Sequence, residues 1–487
     1  MALSIKSNHT DWTPKGMVYI LFFLGLATMV YGLITSQWLI FAGIAFLPIA
    51  TIFLFFFAKK PMFSYLLFGF IVCYFSAIYR YARVEGLSVI VDIALGVSMI
   101  SILINVINQR DSYLWKNAFN ILIATHLIWV SYILICLLNP NIRIYNLAAN
   151  RSVFLTVPLI YIISSILLYK FNQLKTTLLL LGFFVITAAM KVYWQKSKGF
   201  DSVEYNWLVN EGGGITHLLR TGIRYFSFYT DAGNFGSSMG MFTITFGILT
   251  FVAKKNISRL FCLGVTVLAA AGMIMSGTRG AMVVPFAGLA LYCLLSKSMK
   301  MITTCIIVGG LSFCFFYFTD IGNGNSFIRR MRTAFRPTED ASFNVRLYNQ
   351  ERIAYYLKDK PFGIGIGGEI MDIDKLGEST EEKSIPPDSF YVNIWIESGV
   401  VGLSLYIALQ VLVLLRCIYL IMFRIKNKQL SQILAALVAG VFGIWLNGYV
   451  GRGMGMYPSS FIISIFIIYS LNGIYMDRKM KANEIMI

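Results

Sequence analysis

The sequence predicts an all-α integral membrane protein, a polytopic bundle of about 12–14 transmembrane helices with one large outer loop. Three observations carry this. Of 487 residues, 57% are hydrophobic and only 13% charged, whereas a soluble domain carries roughly 25% charged residues. Apolar runs long enough to cross ~30 Å of hydrocarbon recur along nearly the whole chain. Lys and Arg gather in alternate connections between those runs. A disordered chain, a coiled coil and an ordinary soluble enzyme are excluded. The net charge of +18 would suggest nucleic acid in a soluble protein. Here it reads as topology signal and a demand for anionic ligands, with no nucleic-acid partner.

In chain order, the apolar runs fall at 17–35, 38–58, 61–79, 87–107, 117–138, 152–169, 176–193, 232–253, 257–275, 280–296, 301–319, 389–423, 430–447 and 457–476. The first is followed by no small-residue cleavage site and is expected to be a retained helix. The run at 389–423 is long enough for a break or a strong tilt. With the N-terminus in the cytoplasm, every short cytoplasmic segment is basic, among them Lys59/Lys60, Lys254/Lys255/Arg259 and Arg424/Lys426/Lys428. The short outer loops are poorer in charge, with Arg279 and Arg452 each alone in one. Four regions result: N-terminal helices at 1–193, helices with outer-loop arginine motifs at 194–319, the large outer loop at 320–388, and C-terminal helices at 389–487. The loop holds ten Lys/Arg and twelve Asp/Glu, over half of all acids in the chain. Its stretch NVRLYNQERIAYYLKDK is helix-like and is followed by Pro361 and a Gly-rich turn.

The seven cysteines all lie in apolar runs and offer neither a disulfide framework nor a CxxC site. With three histidines and no HExxH, no metal site is read. The DxD at Asp372 and Asp374 lacks the rest of a calcium loop. Gly363, Gly365 and Gly368 match GxGxxG, but no strand–helix–strand unit surrounds them. They are expected to form a turn that lets backbone approach a ligand or the membrane. No Walker motif and no cofactor site are visible.

Four constellations could carry chemistry. In RYFSFYTDAGNFGSSMG (224–240), Arg224 and Asp231 stand where an outer loop becomes a helix, with Arg220 just upstream. A cap at Asp231 or Asn234 would leave a positive dipole end and free N–H groups at the membrane surface. The plain alternative is a headgroup anchor and a simple cap. In MSGTRGAMVVPFAGLALY (275–292), Arg279 is a lone guanidinium close to hydrocarbon, so it is paired, functional or snorkelling. In FNVRLYNQERIAYYLKDKPFGIGIGG (343–368), Arg346 lies on a helix, where a solvated or ion-paired role competes. In PPDSFYVNIWIESGVVGLSLY (386–406), Asp388 ends the loop and is either functional or an N-cap. Glu397 lies roughly 13 Å deeper along the helix and needs a partner. His126 reads as a satisfied interior histidine.

The order of these four segments resembles the O-antigen polymerase and O-antigen ligase superfamily of bacterial envelope glycosyltransferases, over about 220–410. The resemblance implies a GT-C-like bundle in the bacterial inner membrane, with its active site at the periplasmic loop and no nucleotide-sugar site. It implies a donor glycan on undecaprenyl pyrophosphate and an acceptor glycolipid hydroxyl, on another lipid-linked repeat in a polymerase or on lipid A-core in a ligase. A chain-length regulator and a flippase are the functional neighbours it suggests. The family's arginines correspond to Arg224, Arg279 and Arg346. Ligases usually carry His where this chain has Asp388, which favours a polymerase. On this basis Asp388, Arg279 and Arg224 are the catalytic candidates, with Arg346, Arg220, Tyr391, Asp231 and Glu397 binding substrate. Tyr225, Tyr229 and Tyr391 are expected to stack on sugar rings. Inversion at the anomeric carbon without a metal is implied. The rival readings are a polysaccharide flippase, which the absence of an inverted repeat disfavours, and a scaffold with dispensable arginines.

Overall fold

The computed structural model describes residues 60–83, 86, 88–108, 115–137, 150–219, 222–335, 341–368, 370 and 385–485. The runs at 17–35 and 38–58, and with them the expectation of a retained first helix, lie outside the described residues, as do Arg220 and the DxD at Asp372 and Asp374. The chain divides into two compact units. The smaller contributes only 60–64 and 97–108 to the described residues; within it Ser64 and Ser98 share a hydroxyl–hydroxyl hydrogen bond of 3.1 Å. The rest belongs to the larger unit, which holds the candidate site.

Each of the other twelve apolar runs is helical. The helices are α1 (Pro61–Ala82), α2 (Ser88–Ile107), α3 (Ile121–Cys136), α4 (Thr156–Leu167), α5 (Phe171–Lys198), α6 (Ser202–Asn210), α7 (Ala232–Val252) and α8 (Asn256–Met275). After them come α9 (Val283–Leu295), α10 (Met299–Phe318), α11 (Ser326–Arg332), α12 (Ala341–Leu357), α13 (Phe390–Tyr419), α14 (Lys428–Asn447), α15 (Ser459–Leu471) and α16 (Gly473–Ile485). Eight helices among the described residues are long and apolar enough to cross a membrane, and α15 with α16 forms a further pair bent by 47°. The protein is an all-α, multi-pass membrane protein. Its only described strands are the two-residue pair Leu218–Leu219 and Gly222–Ile223.

The core of the larger unit is built on α7 and α14. Their apolar windows are 83% and 78% buried, against 6% for α10, whose surface is left to lipid. Close approach depends on small residues. A Cβ at Gly288 of α9 would lie 2.7 Å from the Ala439 carbonyl oxygen, and one at Gly440 would lie 2.9 Å from Met241 Cγ. Phe235, Phe242 and Phe246 of α7 are fully enclosed.

The long run at 389–423 is broken, and the break explains the Gly-rich turn. Gly399 has φ 69° and ψ −174° inside α13, and a π turn follows over Leu420–Arg424. The turn after Pro361 fills the gap: Ile364 N donates to Ile396 O and Gly365 N to Glu397 O, both at 2.9 Å, and Val401 N donates to Pro361 O at 3.2 Å. A Cβ at Gly363 would lie 2.5 Å from Gly399 N. The turn was expected to bring backbone to a ligand or the membrane. It brings backbone to the chain's own broken helix, because carbonyls freed by the break need donors.

Candidate functional site

The loop before α7 is held by α1 and α5. Arg80 donates from Nη2 to Tyr229 O at 2.9 Å and lies 4.6 Å from the Trp207 ring centre and 4.5 Å from that of Phe226. Gln195 Oε1 accepts from Ser227 N at 3.0 Å. Gln195 Nε2 donates to Glu204, which is fully buried and paired with Lys191 at 2.9 Å. These anchors fix the path that carries Arg224 to its place.

Asp231 caps α7, its Oδ1 accepting from Gly233 N at 2.7 Å and Asn234 N at 3.0 Å. His217 Nε2 accepts from Ala232 N at 3.1 Å, which leaves Nδ1 as the donor to Gly213 O at 2.8 Å. The N–H groups expected to be free at this helix start are therefore occupied. Burial pushes the His217 pKa down to about 4, so the ring is neutral and serves as a second cap.

Three arginines from three separate segments meet in one cavity of about 330 Å³: Arg224, Arg279 and Arg346. A fourth, Arg330 from α11, joins them. All four are half-buried, and no carboxylate lines the cavity among the described residues. Arg224 Nη1 donates to Thr216 O at 3.1 Å and Nη2 to Thr278 Oγ1 at 2.8 Å. Thr278 in turn donates to Ala232 O at 2.8 Å, tying the guanidinium to the first turn of α7. Arg279 opens a short 3-10 turn, Arg279–Met282, and reaches Thr333 Oγ1 at 3.3 Å. Gly277, at φ 58°, lets the stems pass: a Cβ there would lie 3.2 Å from Arg224 Cγ and 3.6 Å from Arg330 Cδ. Burial lowers the Arg224 pKa. Asp231 opposes that shift, and the charges of Arg346 and Arg279 add to it. A guanidinium still stays protonated, so the cavity concentrates positive charge that an anion would neutralise.

Asp388 is not a cap. Ser389 caps α13, accepting from Val392 N at 3.0 Å. Asp388 Oδ2 accepts from Asn349 Nδ2 at 3.0 Å, and Asn349 sits one turn beyond Arg346 on α12. Phe390 N donates to Gly448 O at 3.0 Å and Gly451 O at 3.2 Å, and Gly451 lines the arginine cavity. Asp388 itself is outside the cavity lining but is joined on both sides to elements that form it.

The other candidates lie elsewhere. Tyr391 donates its hydroxyl to Trp445 O at 2.9 Å and lies 3.0 Å from Gln410 Oε1. Tyr225 packs against Phe200 and Phe327, and Tyr229 is fully buried. None of the three tyrosines lines the cavity, because each spends its ring on packing. Glu397 Oε1 accepts from Gly367 N at 3.2 Å and faces a second cavity of about 410 Å³ with His126, Gln410 and Trp129. His126 is satisfied by Val153 O at 2.9 Å. Asp92 pairs with Arg151 at 3.3 Å.

Sequence reasoning missed Arg330 and Asn447, which also lines the arginine cavity. Arg330 was one of ten basic residues in a long loop with no motif around it. Asn447 was a lone amide closing an apolar run, and that isolation was the available signal.

Residues 264–407 match the family described as O-antigen ligase. That stretch holds Arg279, Arg346 and Asp388, and the match supports membership of the O-antigen polymerase and ligase superfamily, whose members are glycosyltransferase-like enzymes acting on lipid-linked oligosaccharides. No curated protein and no solved structure matches the chain.

Proposed function

We propose that the protein polymerises a surface polysaccharide, whether O-antigen, capsule or exopolysaccharide. It transfers a glycan from undecaprenyl pyrophosphate to a sugar hydroxyl on another lipid-linked repeat, at the periplasmic side of a bacterial inner membrane. The observation that carries this is the convergence of Arg224, Arg279 and Arg346 on one cavity free of carboxylates among the described residues. Such a cavity suits a pyrophosphate whose charge grows as it leaves.

The reaction needs little else. The acceptor oxygen attacks the anomeric carbon as the bond to the pyrophosphate breaks. The electron pair leaves on the pyrophosphate, where guanidiniums bind it through paired N–H donors without a metal. Asp388 takes the hydroxyl proton or orients that hydroxyl. Attack opposite the leaving group inverts the configuration. Asp388 suits this role because Ser389, not Asp388, supplies the helix cap. A flippase and a chain-length regulator are the expected partners.

The ligase reading draws on the description of the matched family, and the polymerase reading on Asp388 at the position where ligases usually carry His. A deletion strain separates them. Accumulation of single lipid-linked repeats supports a polymerase. Accumulation of finished, untransferred chains on the lipid carrier supports a ligase and overturns the polymerase reading.

A further inference from the structure

Among the described residues, one side-chain acceptor in the lining of the arginine cavity has no donor. Asn447, the last residue of α14, is 3% exposed and lines the cavity. Its amide orientation is fixed by counting protons. The Ser237 hydroxyl has one, which it donates to Gly233 O at 2.8 Å. It can therefore only accept from Asn447, whose Nδ2 lies 2.6 Å away. Asn447 Oδ1 is thereby turned the other way, and it is buried with no hydrogen-bond partner among the described residues. A Cβ at Gly280 would lie 3.1 Å from this oxygen. The bare Cα beside Arg279 thus keeps a methyl group from crowding it.

A buried carbonyl oxygen without a donor is costly, and its presence calls for an explanation. The charged groups around the cavity are all donors, so they suit phosphate oxygens. An ionised pyrophosphate has only acceptors and cannot satisfy Asn447. The part of a lipid-linked glycan that can is a sugar hydroxyl or an acetamido N–H. We propose that Asn447 Oδ1 is a sugar-reading contact at the floor of the arginine cavity. It accepts a hydrogen bond from the sugar joined directly to the pyrophosphate, an inference that rests on the donor reading given above.

The test is a binding titration of the full chain in lipid nanodiscs. The probes are undecaprenyl pyrophosphate and its glucosyl and N-acetylglucosaminyl derivatives. Asn447→Leu should bind the bare pyrophosphate lipid as wild type does, and at least one sugar-bearing lipid about 2- to 12-fold more weakly. Which sugar loses affinity tells hydroxyl from acetamido N–H. Gly280→Ala keeps Asn447 but would place a Cβ 3.1 Å from its oxygen and 2.8 Å from Val450 Cγ1; with a wild-type melting temperature it should reproduce the selective loss even if Asn447→Leu does not fold. Ser237→Ala removes the group that orients the amide, so it should weaken the sugar preference while leaving the bare pyrophosphate lipid bound as in wild type. Unchanged binding of both sugar-bearing lipids by the variants overturns the proposal. So does an equal loss for the bare lipid, since that would mean a structural role. Failure of wild type to bind undecaprenyl pyrophosphate at all would overturn the donor reading itself.

Discussion

At the residue scale, Asp388 and its neighbour can be pulled apart. Asp388→Asn keeps the size of a side chain that only accepts from Asn349 but removes its proton affinity. A general-base contribution of about 10²–10⁴-fold should vanish, read as chain synthesis from purified lipid-linked repeats at matched protein amounts. Near-normal elongation would eliminate Asp388 as the base. His217 would not be a ready substitute, since its Nε2 is taken by Ala232 N. Arg279→Ala should cost roughly 2–4 kcal/mol, or about 30- to 1000-fold in rate. Arg279→Lys should also be impaired, because a point charge does not replace the planar fork. Full-length polysaccharide at normal protein level from an Arg279→Ala strain would exclude the role. His217 makes a pH prediction. Its folded pKa, about 4, lies below the unfolded value of about 6.5, so the unfolded chain binds more protons between the two. The stability linked to this cap is complete above pH 6.5 and declines as pH falls toward 4, by at most about 3 kcal/mol. Thermal unfolding of wild type and His217→Gln across that window checks it, with the variant showing the flatter dependence.

At the element scale, α13 is a helix made of two pieces around Gly399, pinned by the turn after Pro361. Gly399→Ala would push a Cβ into the Pro361 carbonyl and force a residue at φ 69°. It should destabilise by about 1–3 kcal/mol or more, seen as a lower melting temperature in detergent. Ser389→Ala should cost about 1 kcal/mol through loss of the cap, while Asp388→Asn leaves the melting temperature in place. That pair of measurements separates stability from chemistry at adjacent positions. The break itself could be foreseen only as a possibility of length, in a run of 35 residues. Its position was hidden because SGVVGL reads as ordinary helix interior, and what decides it is a loop some 35 residues upstream. The helix runs themselves were legible, because hydrocarbon thickness and unsatisfied backbone groups leave an apolar chain few choices.

At the scale of the whole molecule, cysteine tags test the topology drawn from the Lys/Arg bias. A tag at Lys254 should react only from the cytoplasm and one at Asn323 only from outside, and outside labelling at Lys254 would reverse every side assignment. The candidate site was legible in part. Arg224 and Arg279 could be picked out where outer loops meet apolar runs, and Arg346 by its place in the order of the four segments, and they do share a cavity. Arg330 and Asn447 could not, because what selects them is spatial proximity to segments elsewhere in the chain, which no local pattern encodes. Tyr391 and Asp231 were visible for their chemistry, yet their polar atoms are committed to Trp445 O and to the start of α7. One consequence concerns the fastening of the 320–388 segment to α13. The clasp consists of main-chain N–H and C=O groups between Pro361 and Val401, and Gly363, Gly365 and Gly399 all enter it at positive φ. Glu397 adds a side-chain contact, its Oε1 accepting from Gly367 N at 3.2 Å. Substitutions elsewhere in that segment that spare Arg330, Arg346, Asn349 and Asp388 should therefore leave both the join and the site in place.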